Sequence, residues 1–164
     1  MAISIEDIKK LRAMTGAGLA DVKKALTEAE GDFDKAKDLL RERGLAIAAK
    51  RSDRETSNGC VLVKVADNFG AIIALKCETD FVANGKDFIG LTQAILDVAV
   101  ANKCKTLDEV KELTLADGQK VQDAVTQRSG ITGEKMELDG YNVLEGDNIE
   151  AYDHMGKHTL ATMV

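Results

Sequence analysis

The chain has 164 residues, of which 45% are hydrophobic and 30% charged, a balance typical of a soluble globular protein and not of a disordered one. The net charge is −6, and residues 56–164 carry 17 acidic against 10 basic side chains, so we expect no direct nucleic-acid partner. The sequence has neither an apolar stretch of 18 residues nor the apolar segment of a signal peptide, which predicts a cytoplasmic protein without a membrane partner.

Three short helical patterns fill residues 1–50. Ser4-Ile5-Glu6-Asp7 has the form of a capping box and predicts the start of the first helix. The third pattern opens behind Asp32 as a cap and ends at Gly44, the glycine expected just past a helix, unless residues 45–50 continue it. We therefore predict a three-helix module that resembles the ubiquitin-associated (UBA) fold and is marginally stable alone.

A β-hairpin is predicted after a polar linker at residues 51–58. Apolar, β-branched segments flank Asp67-Asn68-Phe69-Gly70, which has the composition of a hairpin loop. If the strands are symmetric about this loop, Cys60 faces Cys77. A redox pair is one interpretation, but cross-strand geometry rarely suits a disulfide, and an odd number of cysteines favours reduced thiols.

The rest of the chain predicts an α+β fold in which a small antiparallel sheet packs with helices. A long helical pattern begins near Lys86, and its apolar face is expected to lie across the hairpin. Further helical patterns lie at 107–113 and 119–128, and strand patterns at 134–139, 149–152 and 159–164.

The junction between the second hairpin strand and the long helix is Thr79-Asp80-Phe81-Val82-Ala83-Asn84. Thr79 is placed to cap a short helical turn, which puts Asp80 and Phe81 in its first turn, pointing outward. Only six residues of the chain are aromatic, so a phenylalanine at a junction is unusual here. The alternative is that Phe81 folds back into the core and Asp80 acts as a second cap.

Two motifs resemble a known family. Thr79 to Asn84 is similar to the T-D-F-V-A signature of bacterial elongation factor Ts, the nucleotide exchange factor for the translational GTPase EF-Tu. Leu11 to Leu26 resembles the amino-terminal L-R-x-x-T-G-A-G-x-x-D-x-K-x-A-L pattern of the same family, and the two motifs stand in the expected order.

The resemblance implies a guanine nucleotide exchange factor that promotes GDP release from EF-Tu during polypeptide elongation by disturbing its magnesium and phosphate site. It also implies that residues 59–145 form the first half of a core domain, and that 146–164 start a second, incomplete half. Both patches implied by the family would bind the GTPase domain of EF-Tu. The first comprises Leu11, Arg12, Thr15, Gly16, Ala17 and Gly18, and the second Asp80 and Phe81 with Thr79, Val82, Ala83 and Asn84.

No catalytic or cofactor site is predicted. The sequence has no phosphate-binding loop, nucleophile elbow or zinc-protease motif, so we expect no enzyme, no cofactor and no direct nucleotide binding. His154 and His158 are four residues apart, but Gly156 lies between them and no third ligand is suitably spaced for a metal. The alternatives are a protein-binding adapter that uses the UBA-like bundle, and a thiol enzyme using Cys77 or Cys60, for which no nearby base is evident.

Overall fold

The computed structural model describes residues 3–164, which form two compact units. The first unit contains the residues up to Asp53 together with Thr126–Glu134, and the second contains Arg54–Val125 and Lys135–Val164. Helices and antiparallel strands occur together, which confirms the predicted α+β class. No helix within 3–164 has the length and apolar character needed to span a membrane.

The first unit is built on three helices, as predicted. The Ser4 hydroxyl accepts from the Asp7 amide at 3.0 Å while the Asp7 carboxylate accepts from the Ser4 amide at 3.2 Å, so the capping box is present. Asp32 caps the third helix by accepting from two amides, and those bonds lower the pKa of its carboxyl. The helices are α1 (Ile5–Thr15), α2 (Leu19–Glu28) and α3 (Phe33–Lys50).

Of the two predicted ends of the third helix, the one at Gly44 is wrong and the continuation through residues 45–50 is confirmed, because α3 ends at Lys50. Gly44 is needed for a close approach rather than for a left-handed cap. A Cβ built on Gly130 would lie 2.6 Å from the Cα of Gly44, so the two helix backbones meet at a pair of glycines. Gly130 belongs to a later helix, Val121–Thr132, whose second half is part of this first unit.

The second unit is organised around a three-stranded antiparallel sheet of β1 (Asn58–Ala66), β2 (Phe69–Cys77) and β3 (Glu137–Glu145), in that order. The helix that follows the hairpin packs across β1 and β2, as predicted, and Phe88, Ile95 and Ala99 enter the core. A two-stranded ribbon completes the unit. Its other elements are α4 (Asp80–Ala83), α5 (Lys86–Ala101), α6 (Leu107–Lys111), β4 (Ala151–Asp153) and β5 (Ala161–Met163), together with the first residues of α7 (Val121–Thr132).

The predicted pairing of Cys60 with Cys77 is wrong by two residues. Phe69 and Gly70 belong to β2, so the connection contains only Asp67 and Asn68, and Asp67 takes a positive φ of 54°. Cys60 therefore lies opposite Leu75, and Cys77 opposite Asn58. All three cysteines are free and buried.

Candidate functional site

The site is centred on the junction between β2 and α5. β2 ends at Cys77, and the Thr79 hydroxyl accepts from the Val82 amide at 3.4 Å, capping the single turn of α4. This cap places Asp80 and Phe81 in the first turn. Phe81 is 88% exposed, whereas Phe69 and Phe88 are each 2% exposed, so the alternative in which Phe81 folds into the core is wrong.

One side of α4 packs against the hydrophobic core of the second unit. Ala83 is buried at 6% exposure, and Val82 is half-buried against the main hydrophobic cluster of the second unit. Asp80 and Asn84 are exposed, like Phe81. α4 thus has an apolar inner side and an outer side that presents a carboxylate, a benzyl ring and a carboxamide. We call Thr79–Asn84 the tip.

The residues just before the tip are hydrogen-bonded to other segments of the second unit. The Asn58 carboxamide donates to the carbonyl of Glu78 at 3.0 Å. Within the junction itself, the Cys77 thiol donates to the carbonyl of Thr79 at 3.2 Å. The Glu78 carboxylate accepts from the Lys135 amide at 2.7 Å. The tip therefore projects from a junction with several tertiary bonds.

The amino-terminal motif forms the turn between α1 and α2. Gly16 adopts φ = 69°, the left-handed conformation that favours glycine, and its amide donates to the Arg12 carbonyl at 2.7 Å. The Thr15 hydroxyl donates to the carbonyl of Leu11 at 2.8 Å and accepts from the Ala17 amide at 3.3 Å. The motif residues thus close the end of α1.

Burial divides the residues of this first patch into two groups. Leu11, Thr15 and Ala17 are buried within the first unit, so their side chains support the turn. Arg12, Gly16 and Gly18 are exposed, as are the neighbouring side chains of Met14 and Leu19, which sequence reasoning did not select. The sequence contains a signal for Met14 and Leu19, because a large apolar residue stands on each side of a Gly-rich turn.

A cavity of about 330 Å³ lies beside Gly18 in the first unit, and it too was missed. Arg43 lines it, donating to both oxygens of Glu28 at 3.0 Å and to the Asp21 carbonyl at 3.3 Å. Ile131 of α7 closes one side. No sequence pattern indicates that part of α7 joins the amino-terminal helices, so the cavity could not be anticipated.

The cysteine and histidine side chains are the candidates for a thiol or metal site. Burial raises the pKa of the Cys60 thiol to about 11 and also raises that of Cys104. His158 Nδ1 lies 2.7 Å from the Asp153 carboxylate, and His154 Nδ1 lies 3.0 Å from the Tyr152 hydroxyl. Within residues 3–164, no three His, Cys, Asp or Glu side chains are grouped to hold a metal ion.

Comparison with known proteins decides the family. The family model described as elongation factor TS matches residues 78–164, more than half of the chain, and that range includes the tip. The chain belongs to the elongation factor Ts family.

Individual members of the elongation factor Ts family match this chain along its whole length. Elongation factor Ts of Bacteroides fragilis is 68% identical over 164 residues, which is 100% of this chain and 49% of that protein. Elongation factor Ts of Parabacteroides distasonis is 64% identical over 163 residues, which is 99% of this chain and 49% of that protein. Elongation factor Ts of Porphyromonas gingivalis is 52% identical over 163 residues, which is 99% of this chain and 59% of that protein. The chain thus spans about half the length of the first two of these elongation factor Ts proteins.

Proposed function

We propose that this chain acts in guanine nucleotide exchange on the translational GTPase EF-Tu, accelerating the release of GDP during polypeptide elongation. The observation that carries the proposal is the 88% exposure of Phe81 at the end of a capped turn whose inner side is buried. A benzyl ring held in water gains free energy when a partner buries it, and phenylalanine is among the residues enriched at protein interfaces.

In the proposed complex, Phe81 inserts between helices of the GTPase domain, and Asp80 approaches the region of its magnesium and phosphate site. The ion neutralises phosphate charge, so displacing its ligands weakens the hold on GDP. The chain makes and breaks no covalent bond in this scheme. It acts by binding the partner best when the nucleotide pocket is distorted, which is sufficient to shift the nucleotide equilibrium.

The amino-terminal turn supplies the second proposed contact. Arg12, Gly16 and Gly18 are exposed and would meet the GTPase domain directly, whereas Leu11 and Thr15 are buried and would act by keeping the turn in shape. Ala17 has the same supporting role, since it is 8% exposed. Two separate contacts on one partner raise affinity and fix orientation more than either does alone.

The first prediction concerns Phe81→Ala. Burying a phenylalanine contributes about 1.5–3 kcal/mol, so its loss should slow chain-stimulated GDP release about 10- to 100-fold. The measurement is the fluorescence decay of a labelled GDP preloaded on EF-Tu, followed with increasing concentrations of this chain in excess unlabelled GDP.

Leu144→Ala is the matched control. Leu144 is also an exposed apolar side chain, at 40%, but it pairs with Gly70 at the end of the sheet remote from the tip. It should leave the release rate unchanged. A folded Phe81→Ala chain that stimulates release as well as the unsubstituted chain would remove Phe81 from the mechanism, and a chain without effect on release would refute exchange activity.

A further inference from the structure

The carbonyl of Glu78 is held by a side chain at the point where the β1–β2 ladder stops. Asn58 and Cys77 are the last paired residues of the two strands. One residue beyond them, the Asn58 carboxamide donates to the carbonyl of Glu78 at 3.0 Å. The side-chain amide thus supplies the donor that a longer β1 would have provided from its backbone, and it extends the pairing to the residue next to Thr79.

The Glu78 carboxylate is also held, and by different segments. One oxygen accepts from the Lys135 amide at 2.7 Å, and the other lies 3.7 Å from the Arg54 guanidinium. The side chain is only 14% exposed, unlike the exposed Asp80 two residues later. A shielded carboxylate that accepts a short bond from a backbone amide is a strong, charge-assisted contact, so Glu78 ties the end of β2 to the segment before β3.

The tip depends on such anchors because α4 has only four residues. A helix of that length is unstable by itself, since nucleation is unfavourable and few internal bonds repay it. Ala83 fixes the far end of the turn inside the core. At the near end, the contacts of Asn58 and Glu78 hold the strand from which Phe81 projects.

We propose that Asn58 and Glu78 are positioning residues for the tip: they hold the β2–α4 junction so that Phe81 is presented to the partner in one orientation. This inference rests on the proposed exchange function. A tip that is already ordered loses less conformational freedom when it binds, so more of the ring's burial energy is available to distort the partner's nucleotide site.

The test compares Asn58→Ala, Glu78→Ala and Glu78→Gln in the whole chain. Glu78→Gln loses the negative charge but keeps an oxygen for the Lys135 amide, so its effect should be clearly smaller than that of Glu78→Ala. Both alanine variants should speed deuterium exchange of the Val82, Ala83 and Asn84 amides by at least about tenfold, because each removes a hydrogen bond to the junction. They should also lower the maximal rate of GDP release at saturating chain several-fold, with a smaller change in the half-saturating concentration.

Two controls separate positioning from loss of folding. Glu145→Ala removes an exposed carboxylate at the other end of the sheet, where it pairs with Lys105 at 2.9 Å, and should leave the tip amides unchanged. Fluorine NMR of fluorophenylalanine-labelled chain should show unshifted signals for the buried Phe69 and Phe88 in every variant.

The outcomes that overturn the inference are distinct from those that overturn the proposed function. Unchanged tip exchange in both alanine variants refutes the inference, as does faster exchange with an undiminished maximal release rate. If the unsubstituted chain fails to stimulate release, the exchange function is refuted, and the deuterium measurement still decides whether Asn58 and Glu78 fix the tip.

Discussion

Phe81 illustrates how position, rather than residue type, determines the role of a side chain. Phe69 and Phe88 lie within a strand and a helix and are buried, whereas Phe81 follows an N-cap in a four-residue turn and is exposed. The sequence could predict the short turn, because Thr79 caps it locally, but it left open whether Phe81 points outward or folds into the core. It could not predict the bond from Asn58 to Glu78, since that contact depends on strand register.

The second prediction at the residue scale concerns Cys60. Its pKa is raised from 9.0 to about 11 because burial disfavours the thiolate, so almost none of it is ionised at pH 8. It should therefore react with an aromatic disulfide reagent at least about a hundredfold more slowly than free cysteine, as followed by peptide mapping. Rapid reaction of Cys60 in the native chain at pH 8 would contradict this and would favour the thiol-enzyme alternative.

The same shift predicts how stability depends on pH. The native state binds the Cys60 proton more tightly than the unfolded state does. The protonated thiol therefore makes its full contribution to the free energy of unfolding below pH 9. The contribution is then lost as the pH rises from 9 to about 11. Urea unfolding at several pH values in this range should show a falling free energy of unfolding, with a shallower fall in Cys60→Ala.

At the scale of elements, local signals placed the helices and strands well, and long-range contacts decided the details that were wrong. The capping box at Ser4 and the cap at Asp32 are local, and both are present. The predicted hairpin register is wrong because Phe69 and Gly70, which have the composition of a loop, pair with β1 as the first residues of β2. The sequence around Gly44 does not settle where the third helix ends, because a glycine can either end a helix or allow two backbones to approach closely. Only the position of α7 shows that close approach is the purpose here.

The third prediction uses glycines of two helices. Alanine at Gly130 gains helix propensity, but its Cβ would lie 2.6 Å from the Cα of Gly44, so backbone must move. We expect Gly130→Ala to lower the free energy of unfolding by about 1–3 kcal/mol. Gly90 lies in α5 with no atom within 4 Å of an added Cβ, and Gly90→Ala should raise that free energy by about 0.5–1 kcal/mol. Circular dichroism during urea unfolding measures both; equal stabilisation by the two substitutions would mean that α3 and α7 do not meet at these glycines.

On the scale of the whole molecule, residues 3–164 contain two hydrophobic clusters, one in each unit. The sequence predicted a helical module followed by a sheet domain, but the inclusion of Thr126–Glu134 in the first unit had no sequence signal. The sequence predicts a helix at 119–128, but a helical pattern does not say which core receives its apolar side chains. The bond from the Gln127 carboxamide to the Thr15 carbonyl, at 3.0 Å, joins residues 112 positions apart.

The final prediction concerns the coupling between this chain and GDP on a shared partner. Suppose that the chain speeds release by preferring nucleotide-free EF-Tu. The chain then weakens the affinity of EF-Tu for GDP by some factor, and linkage requires GDP to weaken the affinity of EF-Tu for the chain by the same factor. A factor of about a thousand corresponds to about 4 kcal/mol. Calorimetry gives both ratios, from the affinity of EF-Tu for the chain with and without GDP, and from its affinity for GDP with and without the chain.

Phe81→Ala should reduce the two ratios equally, and Leu144→Ala should change neither, because only the former removes a ring that gains burial in the distorted partner. An adapter would bind GDP-bound and nucleotide-free EF-Tu with equal affinity. A ligand with equal affinity for two states does not shift the equilibrium between them. A ratio near one in both experiments would therefore identify the chain as a binding module and not as an exchange factor.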